Sequence, residues 1–250
     1  MTNQPKISII VPAYNCAATI QKTLQSIQAQ TWQRWEAFVV DDCSTDTTKA
    51  AVIEFAQRDY RIQLLENNFN QGPARARNQG IASSSGEFIA FLDADDIWEP
   101  EKLERQMAVL LKTGSDLCYT SYSFIDEMDR LVHKPYIIRD QVDYHGLLRE
   151  NVIGCSTVLL RKAALKDHRF NSVFSHEDFA LWLCLLREGA LACGVPEVLV
   201  CYRLGGRSDN KWKAAKGRWD IYRRCEGLPI YLSICYMVHY AGAAIRKYRG

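Results

Sequence analysis

Three carboxylates stand within four residues in Phe91-Leu92-Asp93-Ala94-Asp95-Asp96-Ile97-Trp98. Anions held so close repel one another, and a hard divalent cation with oxygen ligands is the usual way to offset that cost. Magnesium and manganese accept carboxylate, water and phosphate oxygens alike, so the loop points to a ligand bearing a diphosphate. The plainer alternative is an acidic helix-capping loop ahead of Pro100. A phosphatase-type Asp-x-Asp nucleophile would want a following Thr and a strand near the N-terminus, and both are missing. Three further segments carry similar potential. In Phe38-Val39-Val40-Asp41-Asp42-Cys43-Ser44-Thr45-Asp46 an acid can accept hydrogen bonds from a nucleoside, or Asp42 or Ser44 can simply cap a helix. In Asn70-Gln71-Gly72-Pro73-Ala74-Arg75-Ala76-Arg77-Asn78 an arginine near a helix start can clamp phosphate, or both can be surface arginines. In Ser175-His176-Glu177-Asp178-Phe179 an acid can act as a general base, or the pair can merely favour the helix dipole. No Gly-x-x-x-x-Gly-Lys occurs, and no Gly-x-Gly-x-x-Gly follows the first strand, so neither a P-loop nor a dinucleotide fold is supported.

These segments need a frame, and the first half of the chain supplies an alternation of strand and helix. Residues 6–11 are a continuous apolar run ended by Pro12, as expected of a parallel strand covered on both faces. Asn15 can cap a helix carrying Ile20, Leu24 and Ile27. Residues 35–40, 62–65 and 87–92 read as further strands, with helices ending near Arg58, spanning 72–82, and running from Pro100 to Gly114 through Leu103, Met107, Leu110 and Leu111. Four such units imply a doubly wound, mainly parallel sheet, which binds ligands beyond the carboxyl ends of its strands. Tyr14/Asn15, Asp41/Asp42 and Asp93/Asp95/Asp96 fall at those ends. In the second half, 116–122, 156–161 and 198–203 read as strands and 178–188 as a helix with Leu181, Trp182 and Leu185 inward.

Composition sets the outer bounds. The chain has 250 residues, 48% hydrophobic and 24% charged, which excludes disordered, collagenous and disulfide-miniprotein classes. Its nine cysteines are odd in number, scattered and without a CxxC pair, so they read as reduced and mostly buried in a cytosolic protein. The formal charge of +2 hides an asymmetry: residues 1–202 carry 20 basic against 26 acidic side chains, and 203–250 carry 11 against 3. An acidic body makes nucleic acid an unsuitable partner, while a basic tail suits phosphate or an anionic lipid surface. Residues 203–224 interleave basic side chains with Trp212, Trp219 and Tyr222. Residues 228–245 then form an apolar stretch closed by Arg246, Lys247 and Arg249, marginal against the roughly 20 residues a spanning helix needs. With Tyr231, Tyr236 and Tyr240 it fits an interfacial helix on a membrane. A core-completing helix or a homodimer contact is the alternative.

Taken together, Val11-Pro12-Ala13-Tyr14-Asn15, Asp41-Asp42-x-Ser44-x-Asp46, Asn70-x-Gly72 with Ala76-Arg77-Asn78, Asp93-x-Asp95 and Glu177-Asp178 resemble a family-2 glycosyltransferase of the GT-A fold, bacterial surface-polysaccharide type, over residues 5–205. The resemblance implies an α/β Rossmann-like domain over 1–205, with a nucleotide-binding half to about 115 and an acceptor-binding half over 116–205, followed by a basic, amphipathic C-terminal extension over 206–250. It implies an inverting transfer from a nucleotide-sugar donor, by family habit a UDP-sugar, to a hydroxyl of a glycan or of a polyprenyl-diphosphate-linked sugar. Localisation would be cytoplasmic, peripheral to the inner membrane. Pro12, Tyr14 and Asp42 would line the base pocket; Asn70 and Arg77 would support the base or ribose and fix the nearby loop. Asp93 would contact the ribose or the metal, with Ala94 beside it, and Asp95 would be the main ligand of Mn2+ or Mg2+. Asp178 would be the catalytic base, Glu177 the lesser candidate. Where the family often has a histidine after Tyr202-Arg203, this chain has Gly205-Gly206-Arg207-Ser208, so Arg207 would face phosphate. A non-catalytic nucleotide-sugar or glycan-binding protein on the same fold is the competing expectation.

Overall fold

Along the first strand, Ile7, Ile9, Val11 and Ala13 belong to one apolar cluster and Ile10 to another. Successive strand side chains point to opposite faces, so this strand is covered on both sides. A computed structural model describes residues 4–205 and 211–248, the side chains at 211 and 243–248 excepted. It contains β1 (Ile7–Ala13), α1 (Ile20–Gln28), β2 (Trp35–Asp41), α2 (Thr48–Arg58), β3 (Ile62–Glu66), α3 (Pro73–Ser83), β4 (Phe88–Phe91), β5 (Ile97–Trp98) and α4 (Lys102–Thr113). Then follow β6 (Leu117–Ile125), α5 (Tyr144–Arg149), β7 (Leu159–Arg161), α6 (Glu177–Arg187), β8 (Ala192–Arg203), α7 (Lys211–Asp220) and α8 (Ile230–Tyr248). The strands form one sheet in the order β3-β2-β1-β4-β7-β6-β8-β5. β1 pairs in parallel with β2 and β4, β2 with β3, and β6 with β8, whereas β7 runs antiparallel to β4 and β6 and β5 to β8. The expected α/β, doubly wound, mainly parallel sheet is therefore present.

Helices cover both faces. Ile20, Leu24 and Ile27 of α1, Val52 of α2, and Leu103, Met107 and Leu110 of α4 pack on one. Ala74 and Ile81 of α3 and the apolar residues of α6 pack on the other. Each fully buried Leu or Met contributes roughly 1.5–3 kcal/mol, so α4 is held by its apolar stripe, and Gly114 ends it in the left-handed conformation (φ 69°).

Three boundaries differ from the sequence reading for identifiable reasons. Pro12 does not end β1. The Leu92 N–H already bonds Ile10 O and β4 stops at Phe91, so the N–H that Pro12 lacks faces a side with no strand left to pair. Asn15 does not cap α1; it has φ 46°, and its side-chain oxygen accepts the Thr45 N–H (2.8 Å). Residues 155–157 form a 3-10 turn rather than the start of β7.

The C-terminal segment divides between core and surface. Ile221 and Tyr222 are fully buried, and the Tyr222 hydroxyl donates to Leu148 O (2.6 Å). The Arg218 guanidinium lies over Phe179 at 4.1 Å and faces Tyr240 at 4.5 Å. Tyr236 packs on Tyr222. Only Tyr231 of the three tyrosines faces out, so the outward stripe of α8 is Ile230, Tyr231, Ile234 and Val238 instead. Among the described residues no helix is long and apolar enough to cross a membrane.

Behind β5, Lys102 is fully buried; its ammonium donates to Gln106 Oε1 (2.7 Å) and lies 4.0 Å from the Trp98 ring centroid. Burial pushes the amine down to about 7 from 10.5. The charged form is thus penalised in the fold. That penalty is full below about 7 and disappears as pH rises through 10.5. The stability of Lys102→Met relative to the parent should accordingly be most favourable at low pH and decline between those values, as chemical unfolding across the range would read.

Candidate active site

The acidic loop begins where β4 stops, and α1 shapes it. The Thr19 and Thr23 hydroxyls donate to Ala94 O (2.8 and 3.0 Å), and Thr23 also reaches Asp96 O (2.9 Å). Thus Ala94, itself buried, is held by its carbonyl. The three acids then part company. Asp96 turns inward, 1% exposed, and accepts the Ser156 hydroxyl (2.5 Å) and the Arg203 N–H (2.9 Å). Burial pushes its carboxyl well above the usual range, and the neighbouring charges of Asp95 and Asp93 add to that. Ser156 also accepts the Asp93 N–H (3.1 Å). The Arg203 guanidinium donates to Asp95 O (2.9 Å) and joins Asp129, tying the loop to the end of β8. Asp93 and Asp95 remain partly exposed.

At the neighbouring strand ends, Asp42 is 3% exposed. Its carboxylate accepts from the Gln71 N–H (3.0 Å), the Gly72 N–H (2.7 Å) and Asn67 Nδ2 (2.8 Å). Gly72 sits at φ 84°, ψ 162°, a region essentially closed to other residues, and this aims its N–H at Asp42. Asn70 is exposed; the amide that fixes this loop to Asp42 is that of Asn67, which nothing in the sequence distinguished from its neighbours. One oxygen of Asp41 accepts the Ser44 N–H (3.2 Å) while the other is buried without a partner in the described residues. Pro12 is half-buried and Tyr14 half-exposed at the end of β1. Arg207 lies outside the described residues.

The two halves of the chain meet at Arg77. This side chain is buried, whereas Arg75 is exposed. One Arg77 nitrogen donates to Asp93 Oδ1 (2.6 Å) and another to Glu177 Oε1 (2.9 Å). A single guanidinium therefore brings the acidic loop and the first turn of α6 together. Glu177 is buried in this pair, while Asp178 beside it is only partly buried by its surface area and accepts the Phe179 N–H (2.8 Å). Burial pushes the Asp178 carboxyl up, and the charge of Glu177 pushes it further, against the pull of His176 and Arg77. His176 precedes α6 and contacts Ala214 O (3.1 Å). Gly217 permits this close approach of α7, since a Cβ there would come within 3.0 Å of the His176 ring.

The donor set fits a hard cation only in part by itself. Asp93 and Asp95 offer carboxylate oxygens at the surface, and Asp96 has turned away. Among the described residues, the acidic loop does not bring three ligand atoms together. Two protein carboxylates suit a magnesium- or manganese-type ion whose remaining positions are filled by water and phosphate.

This is the arrangement of a sugar-nucleotide transferase fold, and comparison with known proteins agrees. Residues 8–169 match the family described as Glycosyl transferase family 2. The chain is 35% identical over 254 residues to a protein of Bacillus subtilis (strain 168) named as the teichuronic acid biosynthesis glycosyltransferase TuaG, covering 99% of each. It is 38% identical to the Escherichia coli UDP-Glc:alpha-D-GlcNAc-diphosphoundecaprenol beta-1,3-glucosyltransferase WfgD, over 97% of this chain and 94% of that one. In fold it is similar to the mannosyltransferase PcManGT from Pyrobaculum calidifontis in complex with GDP-Man and Mn2+. The TM-score is 0.73 at 20% identity, covering 97% of this chain and 74% of that one. The chain belongs to glycosyltransferase family 2: it is an inverting glycosyltransferase on the GT-A fold.

Removing one partner from a buried ion pair leaves an uncompensated charge and costs about 3–5 kcal/mol. Arg77→Gln should lose stability on that scale in urea unfolding. Adding Glu177→Gln should recover part of the loss, because the stranded carboxylate is then gone.

Proposed function

We propose that the chain moves a sugar from a UDP-sugar to a hydroxyl of a polyprenyl-diphosphate-linked glycan in the synthesis of a bacterial surface polysaccharide such as O-antigen, capsule or exopolysaccharide. The observation that carries this reading is the Arg77 bridge, which sets the loop suited to a diphosphate beside the helix that begins with Asp178. The name of the WfgD relative, with its UDP-Glc donor and diphosphoundecaprenol acceptor, supports both substrate classes.

In this reading the ends of β1 and β2, with Pro12, Tyr14 and the loop organised by Asp42 and Asn67, receive the nucleoside. Arg77 acts through Asp93 instead of touching the nucleotide, since its guanidinium is already engaged by two carboxylates. Asp93 and Asp95 would hold Mn2+ or Mg2+. The chemistry such an ion supplies is neutralisation of the charge developing on the leaving diphosphate. Asp178 takes the proton from the acceptor hydroxyl. The freed oxygen attacks the anomeric carbon from the face opposite the nucleotide, the bond from that carbon to the diphosphate oxygen breaks, and UDP leaves with configuration inverted. A raised carboxyl suits this task, because its conjugate base is a better proton acceptor near neutral pH. Glu177 stays paired with Arg77 and positions the turn.

The sign for stability follows from the same shift. A carboxyl raised in the folded state contributes stability at low pH, and that contribution is lost as pH rises through its folded value. Asp178→Asn should therefore lower transfer by about 10²–10⁴-fold. It should leave binding of UDP-sugar with manganese unchanged by calorimetry, and be no less stable than the parent at neutral pH. Turnover close to the parent's would remove Asp178 from the role of base.

The outward stripe of α8 supports a peripheral seat on the cytoplasmic face of the membrane. Ile230, Tyr231, Ile234 and Val238 lie on one face of the helix, each more than half exposed, in a segment whose sequence is strongly basic. Apolar side chains beside basic ones bind anionic bilayers through buried area and charge together. Ile234→Glu with Val238→Glu should shift the protein from pelleted phosphatidylglycerol vesicles to the supernatant while transfer to a water-soluble acceptor is retained. Unchanged vesicle binding would count against this seat, and a change confined to sedimentation of the free protein would assign the stripe to self-association.

A further inference from the structure

A second cluster of metal-ligating groups lies at the far end of α6. His168, Cys184 and Glu188 each offer one ligand atom, and these atoms lie within 4.8 Å of one another. Cys184 and Glu188 are four residues apart at the end of α6, hence on one face, and His168 follows the 3-10 turn Lys162–Leu165. His168 Nε2 is 2.8 Å from Glu188 Oε1 and 3.9 Å from Cys184 Sγ. Zinc bonds of about 2.0–2.3 Å in a tetrahedron place neighbouring ligand atoms roughly 3.4–3.6 Å apart. The separations from Nε2 bracket that range, and because Sγ lies closer to Nδ1 (3.5 Å), a turn of the imidazole that aims one nitrogen between sulfur and carboxylate would form it. The surroundings are arranged to suit. Lys166 Nζ holds the other Glu188 oxygen at 2.9 Å, which orients the carboxylate as an outer partner does. Burial pushes the Cys184 thiol up, and Arg187, 3.8 Å from its Sγ, pulls the other way.

We propose that His168, Cys184 and Glu188 form a site for a zinc-class divalent cation, with the fourth position open to water. Its sulfur and imidazole donors select a softer ion than the oxygen-only pair Asp93 and Asp95, so the two sites are chemically separate. The location gives the site a structural consequence. Phe170, two residues beyond His168, exchanges two hydrogen bonds with Asn78 of α3 (2.9 and 2.8 Å). Its ring packs 5.9 Å from Trp182 and 5.3 Å from the Arg77 guanidinium. A bound ion tethers this segment, which lies against Arg77, to the helix whose first turn carries Glu177 and Asp178.

Cobalt titration of the full chain, reduced with a phosphine, tests the proposal. One equivalent of Co2+ should give a near-ultraviolet thiolate-to-cobalt charge-transfer band that Zn2+ abolishes, and Cys184→Ser should lose the band. His168→Gln and Glu188→Gln should weaken binding by at least the roughly 10–100-fold that loss of an outer partner costs. Asp95→Asn should leave the band intact. Zn2+ should raise the unfolding temperature of the parent and not of Cys184→Ser. All three positions are at least partly exposed, so the variants should fold, and their far-ultraviolet dichroism would verify it. Absence of the band, or its survival in Cys184→Ser through another of the nine cysteines, would overturn the assignment.

Discussion

The structure of this site depends on a cation placed where two acids from distant parts of the chain must meet. Arg77 reaches Asp93 and Glu177 from within the protein. Desolvating a guanidinium is expensive, and only close, well-directed carboxylates offset it. This constraint has two effects. It fixes the spacing between the end of β4 and the start of α6, elements separated by about a third of the chain, and it commits Glu177 to a structural pair. The adjacent Asp178 is then the acid with a path to solvent and a raised carboxyl. Two neighbouring acids of similar chemistry thus acquire different characters from their surroundings alone.

The acidic loop solves its own repulsion in the same manner. Three aspartates cannot all remain charged and close without help. Asp96 is withdrawn into the protein, where the Ser156 hydroxyl and the Arg203 amide meet it, and burial favours its protonated form. What remains at the surface is a pair of carboxylates, Asp93 and Asp95, an incomplete set for a hard ion. A pair of this kind suits a cation whose remaining positions are filled by water and phosphate. Hydroxyls at the start of α1 and the guanidinium of Arg203 keep the loop backbone in place.

The C-terminal segment shows how one stretch can serve two purposes. Its inward residues, Arg218, Tyr222, Tyr236 and Tyr240, complete the packing over α6, and α7 lies against the residues that precede α6. The outward residues of α8 are left apolar in a basic stretch. A surface stripe built this way is continuous with the fold, so α8 and α6 are mechanically linked.

Much of this was legible in the sequence, for a physical reason in each case. β1, β2 and β4 are apolar on both faces because helices cover both, and that makes them continuous runs. The polar groups fall at their carboxyl ends because chain order fixes where a parallel strand stops. Strand and helix identity, the acidic loop and the Glu177-Asp178 pair therefore followed from local pattern. Tertiary structure alone decided which member of each similar set is used: Asn67 and not Asn70 at Asp42, Arg77 and not Arg75 at the acids, Asp96 inward and Asp95 outward. It also decided that Ser156 serves Asp96 and that Tyr236 and Tyr240 face the core. Those choices depend on the direction a side chain takes and on partners 25 to more than 100 residues away, and neither quantity is written in the local order of residues.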